Sequence, residues 1–228
     1  MKITKLASST VIIENSDTSI LCDPWIENGE YYGSWSLVEE INDRENYYKL
    51  MNSCENIYVS HIHPDHFSKK TMQNLQKDKK IFIHSYSSAF LKKNLEIMGF
   101  KNIIEIDNGE TVNIKNKTNI TIFAADNCDP NMCKKFVGCN YSDNSKKSQQ
   151  IDSCAIIHDE NSNCVNLNDC MQPMMIETVK KIKKKFNHID ILLVNYNSAH
   201  SYPQNIININ YDEKKKISNK IKKLNLEK

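Results

Sequence analysis

Four potential metal ligands fall within six residues, His61-Ile62-His63-Pro64-Asp65-His66, directly after the apolar run Ile57-Tyr58-Val59. Imidazoles and a carboxylate set this densely compete for water and protons unless a cation neutralises and orients them, so metal binding is the chemistry to expect. His61 and His63 lie two apart on extended chain and point the same way, while Asp65 and His66 follow a turn forced by Pro64. One pair can serve one ion and the other a second. Ser68 precedes Lys69–Gln76, with Met72 and Leu75 at helical spacing, which predicts a ligand loop seated at a capped helix N-terminus. A histidine-rich surface loop, the alternative, would have no need of this strand-loop-helix setting.

The order His-x-His-x-Asp-His after a buried strand resembles the signature of the metallo-β-lactamase fold, and the resemblance covers most of the chain. Asp23, in Leu21-Cys22-Asp23-Pro24-Trp25, matches that superfamily's early aspartate, and Asp169, in Asn166-Leu167-Asn168-Asp169, its metal-bridging aspartate. More narrowly, Asp23-Pro24-Trp25-Ile26-Glu27, Tyr58-Val59-Ser60-His61 and Asp65-His66-Phe67-Ser68 are similar to the non-Rieske part of CMP-N-acetylneuraminate hydroxylases. The resemblance implies one or two divalent ions, zinc first, with iron or manganese as alternatives. It implies His61 and His63 on the first ion, and Asp65, His66 and Asp169 on the second. Asp65 and His66 are also the catalytic candidates. Asp23, delivered to the sheet edge where Pro24 stops its strand, can accept a hydrogen bond from a ligand histidine and fix its tautomer; capping a turn is its other reading.

Those residues must be positioned by the elements around them. Ile3–Leu6, Thr10–Glu14 and Ser19–Asp23 read as strands, followed by a long loop and a helix across 25–51 in which Trp25, Tyr31, Tyr32, Trp35, Tyr47 and Tyr48 are scattered. These rings either wall a pocket and stack on a sugar or base, with Trp25 and Trp35 as candidates, or pack the loop onto the domain. Lys80–His84 reads as a strand, Ser87–Met98 as a helix ended by Gly99, and Asn102–Ile106 as a strand. His84 reads as structural. The turn Asp107-Asn108-Gly109-Glu110 predicts a hairpin into Thr111–Ile114.

Beyond the strand Asn119–Ala125 the superfamily places a histidine, and this sequence offers Asp126-Asn127-Cys128-Asp129 instead. Asp126 or Asp129 is therefore the candidate third ligand of the first ion. A polar insertion follows to Gln150, then strands Asp152–His158 and Cys164–Asn168, with Asp169 at the strand end. From Pro173, Met175, Val179, Ile182 and Phe186 keep helical spacing against a lysine face. Ile189–Tyr196 reads as a final buried strand, and a lysine-rich helix starts near Tyr211. The last histidine is His200: either it is the last ligand of the second ion, or the sequence stops short of the superfamily's final motif, and its setting among Asn197, Ser198 and Tyr202 favours a substrate-contacting rim with Tyr202.

Charge and composition narrow the classes. A net charge of +2, from 30 basic and 28 acidic residues, argues against nucleic-acid binding, and Arg44 is the only arginine. No stretch approaches a signal peptide or a membrane span, so the eight cysteines are expected as reduced thiols in a cytoplasm. Cys128, Cys133 and Cys139 form no Cys-x-x-Cys pair. The whole predicts one α/β domain over 1–228, a four-layer αβ/βα sandwich of the metallo-β-lactamase type. It would be a hydrolase acting on a small polar substrate, with a phosphorylated or nucleotide-linked sugar as the leading class. The alternatives are a sugar-nucleotide hydroxylase-like oxidoreductase needing a separate electron donor, and a non-catalytic binding module.

Overall fold

The structure is a computed structural model that describes residues 1–33, 35–37, 41–125, 150–170, 176–194, 210–213, 215, 216 and 219. The chain divides into two compact units, Met1–Leu193 and Val194–Lys228. In the second unit, residues 211–213, 215, 216 and 219 are helical, and Asn210 Oδ1 caps the start by accepting from the Glu213 N–H at 3.0 Å.

The first unit holds two sheets. One is formed by β1 (Lys2–Ala7), β2 (Thr10–Glu14), β3 (Ser19–Cys22), β4 (Asn56–Tyr58), β5 (Lys80–His84) and β6 (Asn102–Ile106), paired in sequence order. It is antiparallel through β3 and parallel from β3 to β6. The other runs β11-β10-β9-β8-β7, built from β7 (Thr111–Lys115), β8 (Thr118–Ala124), β9 (Ser153–His158), β10 (Asn163–Asn166) and β11 (Ile191–Leu193).

Period-two alternation explains why the sheets stack. Ile13, Ile20, Tyr58 and Phe82 from the first sheet meet Ile120, Ile122, Ala155 and Ile157 from the second in a shared core. Their neighbours Ile12, Leu21, Ile57 and Ile81 point outward, packing with Met51 of α2 (Arg44–Ser53), Met72 of α3 (Lys69–Gln73) and Leu91 and Leu95 of α4 (Phe90–Ile97). On the far side Phe123, Ile156 and Val165 pack against Ile182 of α5 (Ile176–Lys185). Helix, sheet, sheet, helix is the four-layer sandwich that the sequence predicts. Among the described residues no helix is long and apolar enough to cross a membrane.

Several expectations are corrected. The Asn108-Gly109 turn is present, but it makes no hairpin, because β6 pairs with β5 and β7 pairs with β8 in the other sheet. Gly109, at φ 83°, instead donates its N–H to Ile122 O of β8, so the turn carries the chain between sheets. The helix expected from Ser87 starts at Phe90, since serines favour turns and the Ala89 cap has no side-chain bond to offer. Of the final strand expected over 189–196, the described part is the short β11, at the edge of its sheet among the described residues, and its Leu192 is 56% exposed; residues 195 and 196 lie outside the described residues.

Candidate metal centre

The histidine loop leaves the first sheet at the end of β4 and is tied down on every side. Val59 N–H donates to Phe82 O, and His66 N–H and Phe67 N–H both donate to His63 O, closing a tight turn over Pro64. Phe67 anchors the turn in the outer core, and the Ser9 hydroxyl bonds Asp65 O. Ser68 Oγ then caps α3 by accepting from Thr71 N–H at 3.1 Å, while its own proton goes to buried Glu30 Oε1 at 2.5 Å.

Asp23 sits at φ 47°, a left-handed conformation that costs an aspartate on the order of 1–2 kcal/mol. The bend turns its carboxylate into the loop. Asp23 Oδ1 accepts from Ser60 N–H at 2.8 Å; Oδ2 accepts from Ser60 Oγ at 2.9 Å and from His66 Nδ1 at 2.9 Å. This puts a proton on His66 Nδ1 and turns Nε2, the nitrogen a cation would take, toward Asp169 Oδ2 at 3.4 Å and Asp65 Oδ2 at 3.8 Å. Since Ser60 Oγ donates to Asp23, it accepts from His61 Nδ1 at 2.9 Å, so the lone pair of His61 is on Nε2. That nitrogen lies 2.9 Å from His63 Nδ1, 3.4 Å from Asp152 Oδ1 and 3.9 Å from Asp169 Oδ2.

The structure thus brings His61, His63, Asp65, His66 and Asp169 together, with Asp23 behind them. It adds Asp152, which the sequence reading passes over as the first residue of a strand. His61, His63 and Asp152 form one group able to hold a cation, and His61, His66 and Asp169 another. A signal for Asp152 existed in the β9–β10 pairing, where Ala155 faces Asn166. Continuing that antiparallel register three residues outward on both strands sets Asp152 opposite Asp169. Asn168, at φ 50°, makes the bend that precedes Asp169. Asp126, Asp129, His200 and Tyr202 lie outside the described residues.

Crowded ionisable groups shift one another. Burial and then the Asp169 charge push the Asp152 carboxyl up to about 7. Burial, with Asp169 again, also raises Asp65. The His61 imidazole is held well below its usual range by burial and by His66, His63 and His84. At His66 burial favours the neutral ring, but Asp23 and Asp169 outweigh it and raise the pKa well above normal.

A cation suits this donor set. Buried Asp152 Oδ1 has no hydrogen-bond partner among the described residues, and it faces the unprotonated Nε2 of neutral His61, whose other near neighbour is His63 Nδ1 at 2.9 Å. Two acceptors turned toward each other in a buried site need a cation between them, and a metal ion or a proton can supply it.

Residues 2–204 match the family described as the beta-lactamase superfamily domain. The chain belongs to this superfamily. Among beta-lactamase-fold structures, it is similar to "a possible metal-dependent hydrolase" from Veillonella parvula, with 16% identity, TM-score 0.60, and 85% and 70% of the two chains covered. It is also similar to CmlA, a diiron beta-hydroxylase from Streptomyces venezuelae, with 13% identity, TM-score 0.58, and coverage of 93% and 38%. Among curated proteins, a Mycobacterium tuberculosis protein named "Putative Rieske 2Fe-2S iron-sulfur protein" is 24% identical over 204 residues, 89% of this chain. The chain spans about a third, 36%, of that relative's length.

Trp25, Tyr31 and Trp35, in the segment before α2, pack on one another. Trp25 is buried, 4% exposed, and its indole N–H donates to Glu27 O, so its ring serves the core and packs 6.5 Å from Trp35. Trp35 is partly exposed and stacks on Tyr31 at 4.6 Å. Tyr31 Oη donates to Asp65 Oδ1 at 3.1 Å, and burial followed by the Asp65 charge raises its phenol pKa strongly. His84, bonded through Nε2 to Gln150 O at 3.0 Å, lines a small apolar cavity beside His61.

Proposed function

We propose that the chain is a metal-dependent hydrolase acting on a small polar substrate through a metal-activated water. The observation that carries this reading is the buried Asp152 oxygen facing His61 Nε2. In this reading His61, His63 and Asp152 hold one ion, and Asp65, His66 and Asp169 a second. His61 is also near Asp169, but a single lone pair serves a single cation, and His63 at 2.9 Å joins it to the first group. When bound, divalent ions lower the pKa of a water toward neutrality and polarise a substrate oxygen. The chain's own residues keep the donors ready: Asp23 and Ser60 hold both imidazole protons on Nδ1, away from the cluster. A phosphorylated or nucleotide-linked sugar is the proposed substrate class, supported by the Tyr31 and Trp35 rings beside Asp65, on which a sugar or base can stack.

A second reading, an oxidoreductase, is favoured by one observation. His61, His63 and His66 with Asp65, Asp152 and Asp169 give three nitrogen and three oxygen donors, a hard set that suits iron or manganese as well as zinc. The names of CmlA and of the mycobacterial relative point the same way, as does the sialic-acid hydroxylase resemblance. Residues 1–228 hold no Cys-x-His plus Cys-x-x-His pair, so electrons would reach this centre from outside these residues.

Elemental analysis of protein purified without added metal separates the readings. Stoichiometric zinc or manganese is expected for hydrolysis. Iron would favour the oxidoreductase, and no bound metal would sink both and leave a binding module.

A further inference from the structure

We infer that Tyr31 is a positioning residue of this centre: its hydroxyl ties one oxygen of Asp65, so that the carboxylate presents only the other to the cation. The inference rests on the proposed reading in which Asp65 is a ligand. Tyr31 Oη donates to Asp65 Oδ1 at 3.1 Å, while Oδ2 is the oxygen turned toward His66 Nε2, at 3.8 Å. The Asp65 backbone is fixed independently, because the Ser9 hydroxyl bonds its carbonyl. Rotation of the carboxylate is then the one freedom left, and the phenol removes it.

The backbone is bent to deliver this hydroxyl. In the single turn α1 (Glu30–Gly33), Tyr31 lies at φ 47°, ψ 57° and Tyr32 at φ 60°, ψ 32°, both left-handed and both side-chain-bearing. Strain of this kind persists where surrounding structure enforces it and clusters at functional sites. Tyr32 is fully exposed, so its side chain offers no packing in return for its conformation. The enforcing contacts are the paired backbone bonds between Glu30 and Trp35 at 3.0 Å, the buried Glu30 carboxylate on Ser68, and the Trp35 ring against Tyr31. Every one of them steadies Tyr31. An untethered carboxylate could swing into two-oxygen binding or away from the ion, changing coordination number and geometry and with them affinity and metal preference.

Tyr31→Phe keeps the ring and its packing on Trp35 and deletes only the hydroxyl. Metal-stripped full-length protein would be titrated with zinc, and separately with cobalt(II) while its visible absorption is recorded. Tyr31→Phe should weaken one binding event by about tenfold, the range seen when a ligand loses its supporting hydrogen bond, and should alter the cobalt spectrum. The other event should stay as in wild type, and the control Tyr32→Phe should match wild type throughout. Wild-type affinities and an unchanged spectrum for Tyr31→Phe would overturn the positioning role, provided Asp65→Asn loses one metal. If Asp65→Asn instead retains both ions, Asp65 is no ligand, and the reading beneath the inference fails with it.

Discussion

The Asp152 carboxyl, pushed up to about 7, sits at the point where protons and metal compete. A carboxyl with a raised folded pKa adds stability that is fully present below its unfolded value of 3.8 and is lost as pH rises through about 7. Metal-free wild type should therefore lose this contribution on going from acid to neutral pH. Asp152→Asn cannot ionise and should lack that part of the slope; thermal melts of both proteins across the range compare them. Metal binding has the opposite sign, because the cation needs the carboxylate deprotonated. At fixed zinc, affinity should fall as pH drops below about 7, with proton release that calorimetric titration in two buffers of different ionisation enthalpy can count. Binding without any proton release would contradict the assignment of Asp152.

Between elements, a buried hydrogen-bond chain ties the two sheets together beside the site. Ser153 Oγ, at the start of β9, donates to Ser60 O at 2.7 Å and accepts from Tyr58 Oη of β4 at 2.9 Å. Asp152, the residue before Ser153, is thus tied beside the ligand loop that follows Ser60. Removing the phenol hydroxyl by Tyr58→Phe leaves Ser153 bonded to Ser60 and should cost about 1 kcal/mol. Ser153→Ala strands both the Tyr58 hydroxyl and the Ser60 carbonyl in a buried place and should cost more, roughly 2–3 kcal/mol. Denaturant melts test the order: equal costs would mean the chain of bonds does not bridge the sheets as a unit. Loss of one zinc equivalent in Ser153→Ala alone would show that the bridge also positions Asp152.

For the molecule as a whole, a cation bound between loops of two sheets binds the folded chain and not the unfolded one. Stripping the protein with a chelator should lower its melting temperature, since a ligand at a hundred times its Kd contributes about 2.7 kcal/mol. Scanning calorimetry with and without chelator, followed by zinc addition, reads the loss and the recovery. A melting temperature indifferent to both would remove the metal centre from the account of this fold.

Some of this was determined by sequence alone. The short apolar runs within Thr10–Glu14 and Lys80–His84, closed by polar residues, predict strands with the bounds observed, because a strand covered on both faces is apolar on both and needs no distant partner to be recognised. The same holds for the Ser68 cap and for the packing of donors in His61–His66, whose neighbours in space are neighbours in sequence. Tertiary structure decided whatever depends on non-local pairing. The Asp107–Glu110 turn reads alike whether the strands beside it pair with each other or join different sheets; the competing partners β5 and β8 settle that. Trp25 and Trp35 look alike as aromatic rings in a polar loop, until the core takes one and leaves the other at the rim. Asp152 is an ordinary acid at a strand's start until the β9–β10 register sets it opposite Asp169 and the sheet stacking sets it against His61. Which distant surfaces meet depends on burial summed over the whole chain, and no local period carries that information.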